Sequence, residues 1–572
     1  MDLERLLTDR LTPAFTAVAD GPVDPVVRRS PRADFQSDAA LALARRLGRS
    51  PREIAQAVLD RAVLDDVCAT AEVSGPGFVN LTIDDGALAG MVAALAADAR
   101  LGVPVTAAPE TVVVDYSGPN VAKEMHVGHL RSTVIGDAAV RLLGWLGHRV
   151  VRVNHLGDWG TPFGMLIAHL VDLGEAEAAQ ELSIGDLDGF YQAARSKFDA
   201  DPAFRDRARQ RVVALQGGDP ETRRLWRLLV EQSQRYFLTV YQLLDVTLTE
   251  GDFRGESAYD DRLGAVVGDL DRLGLLTDSA GATCAFPPGF TGRDGTPLPL
   301  IVRKGDGGYG YPATDLAALR LRTGELGATR LLYVVGLPQR QHFAMVFAVA
   351  GQAGWLRPPA RAEHLGFGSV LGPDGRMLRS RTGESVKLVD LLTEAVTRAT
   401  ALARTKNPAL DEADAAEIGR AVGIGAVKYA DLVTDRTRDY VLDWERMLAL
   451  DGNTAPYLQY AYARTRSVSR RAGTAVDPDA RVVLTAPAER ALAFELLGFA
   501  TVVHEVARTM EFHQLAGYLH RLATRFSAFY ERCPVLRADG ELRASRLLLT
   551  DLTGRTLRQG LYLLGIRTVE RM

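Results

Sequence analysis

The central part of the chain shows strand-like and helix-like hydrophobic patterns in turn. Residues 111–117 (TVVVDYS) form a β-branched run of strand length, and from about Gly128 the apolar positions follow a helical period. Residues 148–160 (HRVVRVNHLGDWG) again have the pattern of a strand. Since a strand, a helix and a second strand in this order form a right-handed crossover unit, the pattern predicts a doubly wound parallel sheet.

A long polar stretch interrupts this sheet pattern. Residues 175–285 are charged and mostly helical in period, which indicates an insertion at about 175–297. Strand-like runs resume at 298–304, 330–336 and 361–372, and these are expected to complete the sheet.

The regions on either side of the core have different patterns. Two helices are predicted at 37–48 and 51–63, followed by an exposed strand at 75–83. From about residue 390 onward only helical periodicity is found, broken by a loop at 472–488.

The patterns together predict three domains. Residues 1–105 form an α+β domain and residues 391–572 an all-α bundle. Residues 106–390 form a Rossmann-like α/β domain that contains the helical insertion.

Composition indicates a soluble protein of several domains. The 572 residues are 47% hydrophobic and 24% charged, and a chain of this length exceeds what a single core usually serves. The sequence has no apolar run of about 18 residues and no basic-then-apolar N-terminus, which argues against membrane insertion and secretion. The three cysteines, Cys68, Cys284 and Cys533, lack CxxC spacing. This excludes a disulfide framework or a cysteine zinc site and favours a reducing cytoplasm.

Charge is distributed unevenly along the chain. The net charge is −4, but residues 451–572 hold 17 arginines, no lysine and 12 acidic residues, a balance of +5. The remainder therefore carries −9, and this contrast suggests that the C-terminal part meets a polyanion. Lysine is scarce, with six residues against 61 arginines, as is typical of a GC-rich genome.

The motifs of two common kinds of nucleotide-binding site are either absent or weakly matched. The sequence has no GxxxxGK followed by Ser or Thr, so a P-loop site is excluded. Residues 305–310 (GDGGYG) match GxGxxG, but the pattern places a further extended piece after them and no helix. A hairpin turn is therefore predicted there, and a dinucleotide enzyme is weakly supported.

The strand-to-helix turn at 120–129 carries the strongest chemical pattern. His126 and His129 lie at the carboxyl edge of the first core strand, where doubly wound sheets bind ligands. A helix N-terminus with free backbone N–H groups suits a phosphate, and Gly128 lets a group approach the backbone closely. The residues alone leave three interpretations open: phosphate or nucleotide binding, metal binding, for which no recognised ligand spacing is found, and core packing.

A resemblance to a known family decides between these interpretations. Residues 119–129 (PNVAKEMHVGH) resemble the HIGH signature of class I aminoacyl-tRNA synthetases, and the flanking sequence resembles the arginyl-tRNA synthetases. Matching segments occur in order over nearly the whole chain. Those at 34–55 and 75–83 resemble the family's N-terminal tRNA-binding domain, those at 153–170, 333–347 and 374–392 its catalytic core, and those at 426–448, 452–467 and 531–572 its anticodon-binding bundle.

The resemblance implies an arginine–tRNA ligase that acts in translation. Such an enzyme activates L-arginine with ATP to arginyl-adenylate and transfers the arginyl group to the terminal 2′-OH of tRNA(Arg). ATP with Mg²⁺ is its substrate complex, and it needs no tightly bound cofactor or resident metal. Residues 1–105 would recognise the tRNA D-loop, 106–390 would catalyse the reaction and 391–572 would bind the anticodon. A cytoplasmic monomer without a membrane partner is expected.

The resemblance also implies an ATP site. His126 and His129 would hold the phosphates as negative charge develops. The second class I signature departs from KMSKS, because residues 378–382 read LRSRT without lysine. Lys123 is expected to compensate, and Arg379 and Arg381 to guide pyrophosphate, although a solvated basic loop remains an alternative for the two arginines. The remaining residues implied to bind ATP are Pro119, Gly128, His342 and Ser380.

Tyr311 and Asp315 match the family's clamp for the substrate guanidinium. Asp115, Asn120 and Gln339 match positions that hold the amino and carboxylate end of arginine or its side chain. An alternative for Asp315 is the N-cap of the helix that follows it. Pro162 stands where many relatives have Gln, which leaves the fine shape of the pocket open.

Six positions are predicted to contact tRNA: the two in the N-terminal domain match family positions that meet the D-loop, and the four in the bundle fall on one helical stretch beside the basic C-terminal surface. An aromatic in the N-terminal domain suits an unpaired D-loop base, and a Tyr, Gln and Arg group in the bundle suits splayed anticodon bases. Packing within the core is the alternative for the aromatic residues. The residues are Phe78, Asn80, Tyr457, Gln459, Tyr460 and Arg464.

Two rival functions remain at this stage. The first is a related class I ligase for another amino acid, against which Tyr311 and Asp315 argue. The second is a non-catalytic tRNA-binding paralogue, against which the intact Lys123, His126 and His129 argue.

Overall fold

The computed structural model describes residues 3–175, 187–379 and 385–572. The α-helices in these ranges are α1 (Leu3–Ala19), α2 (Ala39–Leu47), α3 (Pro51–Leu59), α4 (Asp85–Ala97), α5 (Val127–Trp145), α6 (Pro162–Leu173), α7 (Leu187–Ala200), α8 (Pro202–Gln216), α9 (Pro220–Leu244), α10 (Asp260–Arg272), α11 (Tyr311–Gly324), α12 (Arg340–Gln352), α13 (Leu388–Lys406), α14 (Glu412–Leu432), α15 (Trp444–Met447), α16 (Ala455–Ala472), α17 (Pro487–Leu497), α18 (Phe499–Thr509), α19 (Phe512–Arg532) and α20 (Gly540–Leu563). The β-strands are β1 (Val27–Arg29), β2 (Phe35–Ser37), β3 (Cys68–Ser74), β4 (Phe78–Ile83), β5 (Thr111–Asp115), β6 (Arg149–Val153), β7 (Leu276–Ser279), β8 (Ala282–Ala285), β9 (Leu300–Arg303), β10 (Arg330–Tyr333), β11 (Arg361–His364), β12 (Val370–Leu371) and β13 (Tyr440–Val441).

The core sheet has four parallel strands in the order β11–β10–β5–β6. Side chains of β5 alternate between its two faces, as the period of a strand requires. Val112 and Val114 belong to the hydrophobic cluster that contains α5, whereas Val113 belongs to a second cluster with α10, α11 and α12. Helices therefore cover both faces, and the predicted doubly wound parallel sheet is confirmed.

The prediction that residues 298–304 extend this sheet is wrong. The strand itself exists as β9, but it pairs antiparallel with β8 in a separate three-stranded sheet. The run predicted at 361–372 is likewise divided, because β11 joins the core sheet while β12 pairs with β13, which follows α14 in the chain. The hydrophobic pattern identifies a strand but not its partner, which is a long-range property.

The predicted turn at residues 305–310 is present, but the prediction that no helix follows it is wrong. The Lys304 amide donates to the Gly308 carbonyl across the turn at 2.7 Å. Helix α11 then begins directly at Tyr311 with Gly310 as its N-cap and Pro312 in its first turn, a position that proline favours. Asp315 consequently lies inside the helix, and the alternative of an N-cap role for it is excluded.

The N-terminal region contains a helix that the pattern missed, α1, and an antiparallel sheet in the order β1–β2–β4–β3. This region docks on the C-terminal bundle. Arg490 of α17 reaches Asp34 and Asp85, each at 2.7 Å. Phe35 also packs near Phe494, with ring centroids 6.4 Å apart.

The bundle begins with α13 and contacts the core through α14. Its predicted loop at 472–488 is confirmed, since α16 ends at Ala472 and α17 begins at Pro487. Arg131 of α5 and Asp431 of α14 form an ion pair at 3.2 Å with both side chains almost fully buried. The helix that starts at the HIGH segment is thereby joined to the bundle.

Cys68, Cys284 and Cys533 are buried free thiols. Among the described residues, no helix combines the length and the hydrophobicity that a membrane crossing requires.

Candidate active site

A cavity of about 450 Å³ lies at the carboxyl ends of the parallel strands, the usual ligand position in such sheets. Both His129 and Asp315 line it. The other lining residues are Asp115, Tyr116, Ser117, Gly118, Asn120, Gly128, Ser132, His155, Gly157, Glu256, Tyr311, Thr314, Val334, Val335, Gly336, Gln339, His342, Phe343 and Phe367.

Hydrogen bonds to the backbone orient the two histidines of the HIGH segment. Nδ1 of His126 accepts from the Gly128 amide at 3.0 Å, and Nδ1 of His129 accepts from the His126 amide at 3.1 Å. Burial lowers the pKa of both imidazoles, that of His129 to about 3. Both rings are therefore neutral near pH 7 and carry their proton on Nε2, so each presents one N–H donor.

The expectation of free amide groups at the start of α5 is wrong. The Val127 amide donates to the Val386 carbonyl at 3.0 Å, and the His129 amide donates to the His126 carbonyl at 2.8 Å. The Gly128 amide is used by the His126 ring. Because these groups are occupied, the imidazole Nε2–H groups become the donors that this helix end offers.

Gly128 has a role that differs from the expected one. A Cβ at this position would lie 2.6 Å from Cε1 of His126, well inside van der Waals contact. The group that approaches the backbone closely is thus the His126 ring, and glycine is required for the ring to pack there.

The loop after β5 has an uncommon backbone. Ser117 and Ala122 have φ values of 72° and 59°, which non-glycine residues rarely adopt. Buried hydrogen bonds stabilise this conformation. The Tyr241 hydroxyl of α9 lies 2.7 Å from Oγ of Ser117 and accepts from Asn154 at 2.8 Å. The helical insertion therefore supports the loop that carries Pro119 and Asn120.

Pro119 and Asn120 occupy different positions in this loop. Pro119 is buried, does not line the cavity, and its carbonyl accepts from the Gly157 amide at 3.2 Å. Asn120 is exposed and lines the cavity. Pro162, where many relatives have Gln, is the first residue of α6 and does not line the cavity.

The segment that follows the second signature, at residues 387–388, lies beside the HIGH segment. The Leu388 amide donates to the Met125 carbonyl at 2.8 Å, and Nζ of Lys387 lies 2.8 Å from Glu124. Arg379 is exposed, outside the cavity lining, and forms a bridge with Ser385. The predicted residues Ser380 and Arg381 lie outside the described residues.

Lys123 does not line the cavity. Its Nζ lies 4.4 Å from the ring centroid of Tyr191 on α7, a cation–π distance. The predicted compensating lysine therefore contacts the insertion in this structure.

The opposite end of the cavity is acidic. Oδ2 of Asp315 lies 2.6 Å from Nε2 of His342, so the histidine predicted to bind ATP contacts the predicted arginine-binding carboxylate. Tyr311 is 73% exposed at the rim, one helical turn before Asp315. Gln339 is exposed at the N-cap of α12 and also lines the cavity.

Asp115 and Glu256 add two carboxylates to this end. Asp115 ends β5 and pairs with Arg322 of α11 at 2.7 Å. Burial, with added repulsion from Asp158 and Asp315, raises the pKa of Glu256 to about 8. Sequence reasoning missed Glu256 and Arg322. Neither belongs to a recognised motif, and Glu256 reaches the site only because a 3₁₀ helix of the insertion, Glu256–Tyr259, packs over the sheet.

Two of the predicted tRNA contacts lie inside the protein. Gln459 is fully buried, and its amide nitrogen donates to the carbonyls of Ala421 at 3.0 Å and Arg567 at 2.7 Å. The prediction that it contacts tRNA is therefore wrong, since it joins α14 to the C-terminal segment. Asn80 is 6% exposed and accepts from Gln36 at 2.8 Å, which leaves it little surface.

The other predicted contacts retain some surface. Phe78 is half-buried at the start of β4, and Tyr457 is half-buried with its hydroxyl 3.3 Å from Ser527. Arg464 donates to the Tyr460 hydroxyl at 3.0 Å. Its guanidinium also lies 5.1 Å from the ring centroid of Tyr530.

Among residues 3–175, 187–379 and 385–572, no cluster of three or more His, Cys, Asp or Glu side chains is arranged to hold a metal ion. The interpretation of His126 and His129 as metal ligands thus has no partner groups within these ranges.

Comparisons with known proteins agree with this geometry. Three family models match in order: the arginyl tRNA synthetase N-terminal domain at residues 1–83, the catalytic domain of class I tRNA synthetases (R) at 91–444, and the DALR anticodon binding domain at 458–572.

Curated relatives and solved structures extend over the whole chain. The arginine–tRNA ligase of Thermobifida fusca is 55% identical, with 100% of both chains covered, and that of Frankia casuarinae is 52% identical over 96% of this chain and 95% of its own. The arginyl-tRNA synthetase structure from Plasmodium falciparum has a TM-score of 0.85 at 28% identity, covering 100% of this chain and 99% of its own. That from Thermus thermophilus has a TM-score of 0.81 at 27% identity, covering 100% of both chains. This chain therefore belongs to the class I arginyl-tRNA synthetases, and its activity is that of an arginine–tRNA ligase with ATP, arginine and tRNA as substrates.

Proposed function

We propose that the cavity at the sheet edge is the site of both steps of the reaction. The observation that carries this proposal is that His129 and Asp315 line one cavity, so a single arginyl-adenylate can contact both. In the first step an arginine carboxylate oxygen attacks the α-phosphorus of ATP, and pyrophosphate leaves. In the second step the terminal 2′-OH of tRNA attacks the arginyl carbonyl, and AMP leaves. Mg²⁺ enters with ATP and neutralises phosphate charge.

His126 and His129 bind the phosphates in this proposal. Their neutral rings direct Nε2–H donors toward the phosphates, and backbone amides donate to their Nδ1 atoms at 3.0 and 3.1 Å. Preorganised donors of this kind stabilise negative charge that develops during phosphoryl transfer. Pro119 and Gly128 shape this end of the site without supplying a side-chain donor.

Lys123 supplies the cation that residues 378–382 lack. It leaves the Tyr191 ring and approaches the phosphates when ATP is bound, while Arg379 and Arg381 guide pyrophosphate. A compact ammonium can follow a moving charge, whereas the planar fork of arginine has a more restricted geometry.

Replacing Lys123 by alanine should lower the aminoacylation rate about 10²-fold, near the lower limit for a lost transition-state donor. Lys123→Arg should recover part of the rate. Steady-state charging of tRNA with labelled arginine measures the effect, and Lys406→Ala, which changes an exposed lysine at the end of α13, is the matched control. A wild-type rate for Lys123→Ala would contradict the role.

The acidic end of the cavity binds arginine. Asp315 pairs with the guanidinium, Glu256 adds a second carboxylate and Tyr311 covers the group from the rim. Asp115, Asn120 and Gln339 bind the ammonium and carboxylate end. Nε2 of His342 lies 2.6 Å from the carboxylate of Asp315. In this proposal His342 orients that carboxylate, in addition to its predicted contact with ATP.

Arginine binding should depend on pH through Glu256. Its pKa of about 8 in the free protein means that the carboxyl is mostly protonated at pH 7, and the proton must leave when a guanidinium binds. The KM for arginine should therefore fall as pH rises from about 6 to 8, by up to tenfold per unit, and level off above that range.

The KM for arginine between pH 6 and pH 9, at saturating ATP and tRNA, tests this linkage. Glu256→Gln should bind arginine more weakly and lose the dependence. A flat wild-type profile, or a slope that persists in the variant, would exclude Glu256 as the titrating group.

The tRNA contacts that we propose are those with accessible surface. Tyr460, Arg464 and Tyr457 on α16 meet the anticodon, and Phe78 meets the D-loop, since aromatic faces stack on unpaired bases. Tyr530 joins the anticodon group because Arg464 lies between its ring and that of Tyr460, with a guanidinium-to-centroid distance of 4.7 Å to Tyr460. Asn80 contributes to the D-loop surface indirectly, because its hydrogen bond with Gln36 joins β4 to β2.

Each of the three domains has one role in this proposal. Residues 1–105 recognise the D-loop, residues 106–390 catalyse the reaction and residues 391–572 bind the anticodon. We place the enzyme in the cytoplasm, where its three free thiols remain reduced. A monomer suffices because one chain supplies His129, Asp315 and Lys123, and sedimentation equilibrium tests this state.

Charging of bulk tRNA with each of the twenty labelled amino acids tests amino-acid choice. Arginine alone should be attached. Attachment of another amino acid at a comparable rate would favour a ligase with changed specificity and contradict the role of the acidic end.

A further inference from the structure

Arg322 is a fully buried cation beside the active site. Its side chain is 1% exposed, and its Nη2 lies 2.7 Å from Oδ2 of Asp115, which lines the cavity. Burying an arginine is unfavourable unless its charge is compensated. A positive charge at this position also opposes a cationic substrate, so its presence calls for a specific reason.

Helix geometry explains how Arg322 reaches the cavity. It lies seven residues after Asp315 and eleven after Tyr311, and these spacings put all three on one face of α11. Side chains of a helix lean toward its N-terminus, so Arg322 extends toward the end of β5. Its guanidinium lies 5.2 Å from the ring centroid of Tyr333, and Tyr333 is opposite Asp115 in the sheet register.

Few other groups compensate this arginine. Among the described residues, none of the three guanidinium nitrogens of Arg322 has a hydrogen-bond partner, although a guanidinium offers five N–H donors. Its 2.7 Å contact with Asp115 is therefore an ion pair without hydrogen-bond geometry. Another buried arginine, Arg330 of β10 in the core sheet, has more hydrogen-bond partners. Arg330 donates to Glu363 through two nitrogens, at 2.8 and 3.2 Å, and to the Ala507 carbonyl at 3.0 Å. The contact with Asp115 is therefore what the position of Arg322 serves.

We propose that Arg322 is a positioning residue for arginine binding, which holds one oxygen of Asp115 so that the rest of this carboxylate meets the α-ammonium group of the substrate. The inference rests on the proposed role of Asp115 and deepens it. A carboxylate free to rotate would also pair with the guanidinium, and arginine could then bind in reverse. With one oxygen occupied by Arg322, Asp115 recognises an ammonium, while Asp315 remains for the guanidinium.

Charge balance supports the same assignment. Asp115, Glu256 and Asp315 together could carry three negative charges, and arginine brings two positive groups and one negative group. Arg322 cancels one carboxylate, and Glu256 is mostly protonated before substrate binds because its pKa is about 8. The empty site thus avoids a cluster of unpaired carboxylates.

The experiment compares Arg322→Met, Arg322→Lys, Asp115→Asn and the double variant Asp115→Asn/Arg322→Met. Arg322→Met should raise the KM for arginine at least tenfold and leave the KM for ATP within about twofold. Because both residues act through one interaction, the double variant should be no worse than Asp115→Asn alone. Arg322→Lys should recover part of the affinity, since it restores the charge without the fork.

The split between the two KM values is a signature that a purely structural role would not give. Loss of an arginine that only supports the fold would raise the KM for arginine and the KM for ATP together, and the rise would persist in the Asp115→Asn background. A positioning role confines the change to arginine and makes it depend on the Asp115 carboxylate.

Each outcome has a defined meaning. If Asp115→Asn leaves the KM for arginine unchanged, the proposed role of Asp115 is wrong. If Asp115→Asn raises it but Arg322→Lys, folded as judged by thermal denaturation, leaves it unchanged, only the positioning role is overturned. Multiplicative effects in the double variant would also overturn it. Arg330→Met is the matched control, and the same change in the KM for arginine there would mean that the effect at Arg322 comes from losing a buried arginine in general.

Discussion

Replacing His129 by alanine is expected to lower the rate of arginine-dependent ATP consumption by about 10²–10³-fold, the usual effect of removing one preorganised donor from a developing negative charge. His129 lines the cavity, and its Nδ1 is fixed by the His126 amide at 3.1 Å. Its Nε2–H is therefore a fixed donor that water cannot replace with the same orientation. The rate of the first turnover, measured with labelled ATP and saturating tRNA, gives the chemical step directly.

Two further variants of His129 test which of its atoms matters, and a variant of another histidine is the control. Glutamine can present its amide nitrogen near the position of Nε2, whereas asparagine reaches only the position of Nδ1. We expect His129→Gln to retain more activity than His129→Asn. His148→Ala changes a histidine that bonds the Glu110 amide at 3.1 Å, outside the cavity lining, and should keep a normal rate. A nearly normal rate for His129→Ala would remove the residue from the mechanism.

Replacing Asp315 by asparagine should lower kcat/KM for arginine by about 10²–10³-fold. The loss of one partner from a partly buried charge pair costs about 3–5 kcal/mol when the other charge remains unpaired. The effect should be confined to arginine, with the KM for ATP nearly unchanged. Steady-state aminoacylation over a range of arginine concentrations measures this difference.

A neutral analogue and a surface variant make this test specific. Citrulline lacks the positive charge, so the wild-type preference for arginine over citrulline should shrink strongly in Asp315→Asn. Glu325→Gln removes an exposed carboxylate just after the same helix, where it pairs with Arg262, and such pairs contribute little. Equal losses in the two variants would mean that Asp315 supports the helix and not the substrate.

Local patterns predicted the elements of the core closely. The strand predicted at 111–117 is observed at Thr111–Asp115, and the helix predicted from about Gly128 begins at Val127. Both follow from side-chain periodicity, which depends on neighbours along the chain. The helix at Leu3–Ala19 was overlooked although its buried positions Leu3, Leu7, Leu11 and Phe15 follow a helical period. Only the first turn of the helix that begins at Tyr311 lacked such a signal.

Partners that are distant in sequence were not predictable from local patterns. The pattern of residues 298–304 is that of a strand, whichever sheet the strand joins. The neighbour observed is β8, and packing of the insertion sets this pairing. Gln459 and Tyr460 are adjacent in α16 and project about 100° apart around the helix, and one is fully buried whereas the other is 38% exposed. Periodicity assigns faces, but the bundle decides which face meets α14 and which meets solvent.

The residues of the site divide in the same way. His126, His129 and Asp315 belong to short motifs, so the sequence predicted them together with the family and the reaction. Glu256 and Arg322 belong to no motif, and each becomes meaningful only beside a carboxylate far away in the chain, Asp315 or Asp115. The occupied Val127 amide of α5 depends on Val386, which lies about 260 residues after the helix start.

Sequence alone established the fold class, the order of the domains and the chemical identity of the HIGH segment, because these are encoded in periodicity and in contiguous residues. Tertiary structure alone established that the imidazole nitrogens are the donors at this helix end, that His129 and Asp315 share a cavity, and that Asp115 has a buried cation behind it. The physical reason is that hydrogen bonds, desolvation and charge pairing act over a few ångströms in space. Folding brings together groups whose separation along the chain carries no signal.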